Sequence, residues 1–258
     1  MDISEFSLDF FALAGRTAIV TGGNTGLGQA FTTALAAAGA NVFVPSLADD
    51  DGSTAALVER DGAQYEFMEC DITSPGGPAA VIAGCVERFG SVDILVNSAG
   101  ICPMAEVLDF DRVPWDATIA VNLTAAFEMS HEAAKVMIPQ RSGKIINICS
   151  MFSFLGGRWS AAYAASKHGI AGLTKAYCDE LAEYGIQVNG IAPGYFATAI
   201  TERTRSIPET NQRVLDHIPA ARWGDVADLM GAVVFLSSRA SDYVNGHVLA
   251  VDGGYLVR

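Results

Sequence analysis

A chain of 258 residues that is half hydrophobic and only 17% charged can bury one large core, and no Pro/Gly/Ser linker, internal repeat or low-complexity tract divides it. Twenty-nine acidic against sixteen basic residues leave a formal net charge of -13, a field that repels nucleic-acid backbones and anionic lipid surfaces, so neither partner is expected. The five cysteines (Cys70, Cys85, Cys102, Cys149 and Cys178) form no C-x-x-C pair and read as reduced thiols of a cytoplasmic protein, and no His/Cys/Asp/Glu spacing reads as a metal site.

The opening stretch MDISEFSLDFFALAG is acidic, with only a five-residue apolar patch, which reads as neither a secretion signal nor a membrane span. The first β-branched run, TAIVT from 17, leads into TGGNTGLG and then into a helical pattern over 26–38. NVFV from 41 is the second strand, followed by an acidic run, Asp49 to Asp51, and by YEFM from 65. Helical spacing over 75–89 precedes VDILVN from 92, and a long helical stretch over 114–139 precedes KIINIC from 144. A helix over 160–184 then gives way to IQVNGI from 186, and a helix over 225–237 to HVLAV from 247. Strand alternating with helix predicts an α/β fold, a Rossmann-type doubly wound parallel sheet of about seven strands with helices on both faces, in one domain spanning 1–258. The stretch 195–222 breaks the rhythm between the last two strands and reads as a lid over a site at the sheet's carboxyl edge.

A strand, a glycine turn and a helix in succession suit a dinucleotide pyrophosphate, because side-chain-free residues let the backbone approach while the helix N-terminus offers unpaired N–H groups. Gly22, Gly26 and Gly28 give the spacing G-x-x-x-G-x-G, with Asn24 and Thr25 inside the turn; a glycine cluster alone is equally compatible with a plain tight turn. From Asn41 to Glu59 there is no basic residue to meet a 2′-phosphate, which favours NAD. The acceptor position at the end of the second strand is Ser46 or Leu47, and the acidic triplet reads either as acceptor or as a solvated loop.

Tyr163 and Lys167 stand four residues apart in AAYAASKHG. On a helix their side chains share a face, roughly 5 to 6 Å apart at Cβ, so they can act on one molecule or simply pack as a tyrosine beside a snorkelling lysine. His168, about 100° round the helix from Lys167, reads as a packing or surface residue.

Taken together, TGGNTGLG, NSAG at 97–100, Asn122, Ser150 thirteen residues before Tyr163, Lys167, and Pro193-Gly194 resemble the short-chain dehydrogenase/reductase family along essentially the whole chain. The resemblance implies a nicotinamide dinucleotide across the glycine turn, a homotetramer, and catalysis by Asn122, Ser150, Tyr163 and Lys167. Cofactor contacts are implied for Leu27, Ser46, Asp71, Ile72, Asn97, Ala99, Gly100, Pro193, Gly194 and Thr198 beside the glycine turn, Tyr163 and Lys167. Ser98 stands where the family more often has Asn, and a local repacking without loss of cofactor is expected.

A phenol has a reference pKa of about 10, and an ammonium about 5 Å away at an effective dielectric near 20 favours phenolate by roughly 3 kcal/mol, or about two pKa units. Tyr163 is thus expected to take the hydroxyl proton of an alcohol whose developing carbonyl Ser150 holds, with Lys167 tuning Tyr163 and Asn122 anchoring a water beside Lys167.

The stretches 149–158, 191–198, 218–224 and 241–258 resemble the subgroup that oxidises 2-keto-3-deoxy-gluconate and related sugar acids. Ser150, Tyr163, Tyr195 and Arg158 are implied at the small-molecule substrate, Arg158 as the cation for its carboxylate, with Arg203 and Arg205 in the lid and Arg258 reaching a neighbouring subunit's site as further cations. Met151, Phe152, Phe154, Trp159 and Trp223 are either pocket walls or core. Two other readings stand beside this one: a 3-oxoacyl thioester reductase, which would want NADPH and a basic docking patch, and a dinucleotide-binding scaffold without turnover, which would be expected to lack the Tyr or the Lys.

Overall fold

The computed structural model describes residues 7–258, with Ile200 described by its backbone alone. Residues 1–6 of the expected domain span and of the opening stretch lie outside the described residues. Seven parallel strands form one sheet in the order β3-β2-β1-β4-β5-β6-β7: β1 Thr17–Val20, β2 Asn41–Ser46, β3 Tyr65–Glu69, β4 Ile94–Asn97, β5 Gly143–Ile148, β6 Ile186–Pro193 and β7 Val248–Val251. Every strand contains the apolar core of a run expected from the sequence, displaced by no more than a few residues.

The central runs are mostly apolar because both faces of the sheet are covered, whereas the edge strand β3, with Glu66 and Glu69, is only half-buried. Ala18 and Val20 of β1, Val42 and Val44 of β2, and Ile94 and Val96 of β4 pack in one cluster. It is closed by Phe31 and Leu35 of α1 (Gly26–Ala37) and by Val233 and Leu236 near the chain's end. The intervening Ile19, Phe43 and Leu95 point the other way, to Val81, Ile82 and Cys85 of a later helix and to Met129 and Met137. Each such fully buried aliphatic or aromatic side chain contributes about 1.5 to 3 kcal/mol relative to exposure, so the two clusters hold the helices on opposite faces.

The remaining helices are α2 Ser53–Arg60, α3 Gly77–Phe89, α4 Arg112–Ile119, α5 Ala125–Gln140, α6 Ala161–Leu181, α7 Glu202–Ser206, α8 Pro208–His217 and α9 Met230–Ser237. Helix α2 has no counterpart in the sequence expectations: it is short and buries only Thr54 and Val58. The single long helix expected over 114–139 is α4 and α5 joined by a π-helical turn, Ala120–Thr124, with Asn122 buried inside it. The interruption at 195–222 holds a 3-10 turn at Ala199–Thr201 and helices α7 and α8.

Strand order reverses direction between β1 and β4, and a crevice opens there at the carboxyl ends of the strands. The loops after β1 and β4 are stapled by one hydroxyl: Thr21 Oγ1 accepts from the N–H groups of Ser98 and Ala99, each at 3.0 Å. Position 98 enters this staple through its backbone, which explains why Ser98 can stand where Asn is more usual.

Candidate active site

A cleft of about 690 Å³ runs along this edge, from the end of β2 across the glycine turn to the lid helices. Its nucleotide-sized end is built of backbone. Gly22 and Gly26 take φ of +64° and +53°, a region that penalises any side chain. A Cβ on Gly28 would lie 2.1 Å from the Gly22 carbonyl oxygen, so the turn closes this tightly only around glycine. Thr25 makes no side-chain cap, which leaves the N–H groups of the first turn of α1 without an intrachain partner at the cleft wall formed by Thr25, Gly26, Leu27 and Gly28. A cradle with no side chain and a helix N-terminus without a cap fit a dinucleotide pyrophosphate.

Ser46, Asp71, Ile72, Ala99, Gly100, Pro193, Gly194 and Thr198 line the same cleft. Asn24 and Asn97 do not, and their side-chain amides are engaged elsewhere. The Asn24 amide donates to the Ala48 and Asp49 carbonyls, tying the glycine turn to the loop after β2. The Asn97 amide is buried, donating to Ser130 Oγ at 2.9 Å and Asn147 Oδ1 at 2.8 Å behind the wall. The acidic triplet is also absent from the wall: Asp51 accepts from the Ser53 N–H at the start of α2 and Asp50 from the Gly52 N–H, as in a hydrogen-bonded loop.

At the other end, Ser150, Tyr163 and Lys167 meet. Lys167 Nζ lies 5.4 Å from the Tyr163 ring centroid and donates to the Ile148 carbonyl at 2.5 Å. Ser150 follows β5 as the cap of a 3-10 turn, Met151–Ser153, and its hydroxyl bonds the Tyr163 phenol. Ser153, absent from the sequence reading, secures this arrangement: its buried hydroxyl donates to the Lys167 carbonyl at 2.6 Å and accepts from the Ser150 N–H at 3.2 Å. Asn122 stands behind the wall, not in it. Its amide accepts from the Ile101 N–H and donates to the Ile101 carbonyl, both at 2.9 Å, and reaches Ser166 Oγ at 3.2 Å. The Asn122 side chain is thereby committed to the loop around Ile101.

The electrostatics differ from the sequence expectation. Burial pushes the Tyr163 phenol up from its ordinary value, with the Ser150 hydrogen bond opposing it, and burial pushes Lys167 down to about 8. Both groups are thus held toward their neutral forms, because removing an ion from water costs more here than the pair recovers at this separation. Cys102 and Cys149 also line the cleft, but burial raises both thiols to about 11, so neither is a nucleophile at neutral pH.

Arg158 lies at the mouth with its guanidinium 4.5 Å over the Trp159 ring, and Tyr195 lines the wall, packed edge-on against Trp223 at 5.4 Å. Met151 and Phe152 line the cleft while Phe154 and Trp223 do not; Trp223 instead donates to Asn211 Oδ1 at 2.7 Å. The lid cations divide unexpectedly. Arg205 is spent on the Thr198 carbonyl, Arg203 does not line the cleft, and Arg258 donates to the Asp216 carbonyl of its own chain. Arg213 of α8, overlooked in the sequence, lines the wall with Thr210 and Val214; the spacing i, i+3, i+4 was the available signal. His168 is exposed, its Nδ1 3.0 Å from the Ala164 carbonyl. Among the described residues no helix is long and apolar enough to cross a membrane, and no cluster of three His, Cys, Asp or Glu is placed to hold a metal ion.

A parallel sheet with a glycine turn at its switch point and a Ser, a Tyr and a Lys in the adjoining crevice defines a class, and the chain belongs to the short-chain dehydrogenase/reductase family: a family model described as enoyl-(acyl carrier protein) reductase matches residues 22–256. It is 68% identical over 256 residues to the protein named "Uncharacterized oxidoreductase YgcW" of Escherichia coli (strain K12), covering 99% of this chain and 98% of that one. It is also 46% identical over 252 residues to the 2-dehydro-3-deoxy-D-gluconate 5-dehydrogenase of Bacillus subtilis (strain 168), covering 97% and 98%. Among solved structures, the gluconate 5-dehydrogenase from Burkholderia cenocepacia J2315 in complex with NADP and tartrate superposes with a TM-score of 0.93 at 39% identity, covering 98% of this chain and all of that one.

Proposed function

We propose that the protein is an NAD-dependent dehydrogenase that oxidises a secondary hydroxyl of a sugar acid of the 2-keto-3-deoxy-gluconate kind. The observation that carries this reading is the convergence of Ser150, Tyr163 and Lys167 on the cleft that also contains the glycine turn. In a chain of net charge -13, that cleft is lined by three cations, Arg158, Lys167 and Arg213, and by one carboxylate, Asp71, which suits an anionic substrate. Relatives named as gluconate and keto-deoxy-gluconate dehydrogenases agree in substrate class.

Bound along the glycine turn, a nicotinamide dinucleotide supplies the hydride acceptor that oxidation of a CH–OH carbon needs. Ser150 holds the substrate oxygen, and Tyr163, acting as its phenolate, takes the hydroxyl proton and becomes the neutral phenol that burial favours. Lys167 supplies positive charge beside that phenol, and Asn122 positions the loop carrying Gly100 and Ile101. Arg158 and Tyr195 complete the substrate end under the lid at 195–222. NAD is favoured because Ser46, Leu47 and Ala48 at the wall offer no cation for a 2′-phosphate, although the Burkholderia relative holds NADP. The net charge of -13 argues against docking an acidic acyl carrier, which sets the thioester-reductase reading aside.

In this reading the whole chain, 1–258, is one nucleotide-binding and catalytic domain, and its five unpaired thiols support a cytoplasmic location. Exposed Val107, Leu108, Val113 and Phe127 on and before the α4–α5 helix support assembly as a homotetramer. The test is turnover of sugars, polyols and deoxy-keto acids with NAD and NADP, followed at the absorbance of the reduced nicotinamide. Oxidation of a keto-deoxy or aldonic acid with NAD, lost in Tyr163→Phe, is expected; wild-type turnover confined to thioesters, or unaffected by that substitution, would refute the reading.

A further inference from the structure

Helix α8 presents Thr210, Arg213 and Val214 to the cleft and turns Gln212 and Asp216 outward, where they bond each other at 2.8 Å. It is pinned on both sides of Arg213. Asn211 accepts from Trp223 Nε1 at 2.7 Å, with Trp223 against Tyr195, and His217 packs at a tilt against Tyr255 at 4.2 Å. Tyr255 in turn packs 5.4 Å from Tyr195, so three aromatic rings fix the helix over that tyrosine. Arg213 lies within electrostatic range of the Tyr195 phenol.

The cations of the cleft are not equally available. Lys167 donates to the Ile148 carbonyl, and the Arg158 guanidinium sits over the Trp159 ring. Arg213 has no carboxylate partner among the described residues, while its lid neighbour Arg222 is paired with Asp228 at 2.6 Å. An arginine fork on a pinned helix, facing a cleft whose one acid lies at the far, nucleotide end, is a ready bidentate partner for a carboxylate. We infer that Arg213 is the specificity-determining residue of this enzyme: it binds the carboxylate of the sugar acid, with Tyr195 and Thr210 beside it, while Arg158 covers the mouth. The inference rests on the sugar-acid reading proposed above.

The test compares kcat/KM for a six-carbon sugar acid and for the uncharged polyol of equal length in wild type, Arg213→Ala, Arg213→Lys and Arg203→Ala. Loss of a charge-assisted pair predicts that the acid-over-polyol preference falls about ten- to a hundredfold in Arg213→Ala, through KM, and less in Arg213→Lys, which keeps the charge but not the fork. Arg203→Ala, in the lid but off the cleft wall, keeps the wild-type preference. Calorimetric titration with gluconate in the presence of reduced dinucleotide reads the same contact without turnover, and Arg213→Ala weakens it at least about tenfold. A wild type that turns over acids, with preference and binding unchanged in Arg213→Ala, overturns the role of Arg213 alone. A wild type that prefers polyols to acids overturns the sugar-acid reading with it.

Discussion

The two ends of the cleft are made of different material. Around β1 and β2 the wall is backbone: two glycines at positive φ, a third with no room for a Cβ, and an uncapped helix start. Around β5, α6 and α8 it is side chains delivered from separate segments: Ser150 from a 3-10 turn, Tyr163 and Lys167 from one helix face, Arg213 from the lid. A ligand part that never varies can be held by the main chain, whereas proton transfer and substrate choice need groups whose charge is set by their surroundings. The ends should therefore fail separately.

The largest separation is expected from Tyr163→Phe. Removing the phenol deletes general acid-base catalysis, an effect of about 10² to 10⁴ in kcat, while dinucleotide affinity measured by fluorescence titration stays near wild type. Because burial raises the Tyr163 phenol, alcohol oxidation by the wild type, which needs the phenolate, rises with pH through the alkaline range, while ketone reduction, which uses the protonated phenol, stays level. Gly28→Ala attacks the opposite end: its Cβ, 2.1 Å from the Gly22 oxygen, forces the backbone apart. A loss of about 3 kcal/mol, as in overpacked cores, is expected, seen as a lower urea midpoint or a dinucleotide Kd raised about a hundredfold. Equal damage to both ends by either substitution would remove the distinction.

Lys167 shows that the side-chain end is held against its own stability. With a folded pKa of about 8 against about 10.4 for an unfolded lysine, the ammonium is disfavoured by folding; the deficit is full below pH 8 and disappears as pH rises toward about 10.4. Lys167→Met removes roughly 3 kcal/mol of that cost at pH 7 and loses the bond to the Ile148 carbonyl. A net gain of about 1 to 2 kcal/mol is expected, a melting temperature a few degrees higher, with turnover abolished. Wild type should close the gap as pH is raised from 8 to 10, and a gap constant with pH would show that Lys167 is not strained.

The same division governs what could be read in advance. Strands buried on both faces are continuous apolar runs, and glycine positions advertise backbone geometry, so the sheet and the turn after β1 were visible in the chain. Helix α2 was not, since two buried residues make no periodicity, and the π-helical turn at Asn122 was not, since its five residues are too few to show a change of period inside a long helical stretch. The inward aim of Asn24 and Asn97 depends on Ala48, Ser130 and Asn147, partners tens of residues away. For Arg213 the spacing with Thr210 and Val214 marked a shared helix face, but that this face meets Tyr195 and the cleft is set by the fold. The charge states of Tyr163 and Lys167 depend on desolvation, which spacing along a helix does not report.

Ser153 gives the smallest and sharpest test, because it lies between the two kinds of wall. Its hydroxyl touches no cleft surface; it joins the Lys167 carbonyl on α6 to the Ser150 N–H on the neighbouring turn. Ser153→Ala leaves two buried backbone groups without that partner, at about 1 to 2 kcal/mol of stability. It also frees the Ser150 turn to drift relative to α6. Misalignment of this size lowers kcat for the alcohol about three- to tenfold, with dinucleotide KM unchanged because the glycine turn is not involved. Ser153→Thr, which keeps the hydroxyl, restores kcat if its extra methyl is accommodated beside Met151. Loss of dinucleotide affinity in Ser153→Ala would mean that the two walls are mechanically one, and the backbone end would then owe its shape to the side-chain end.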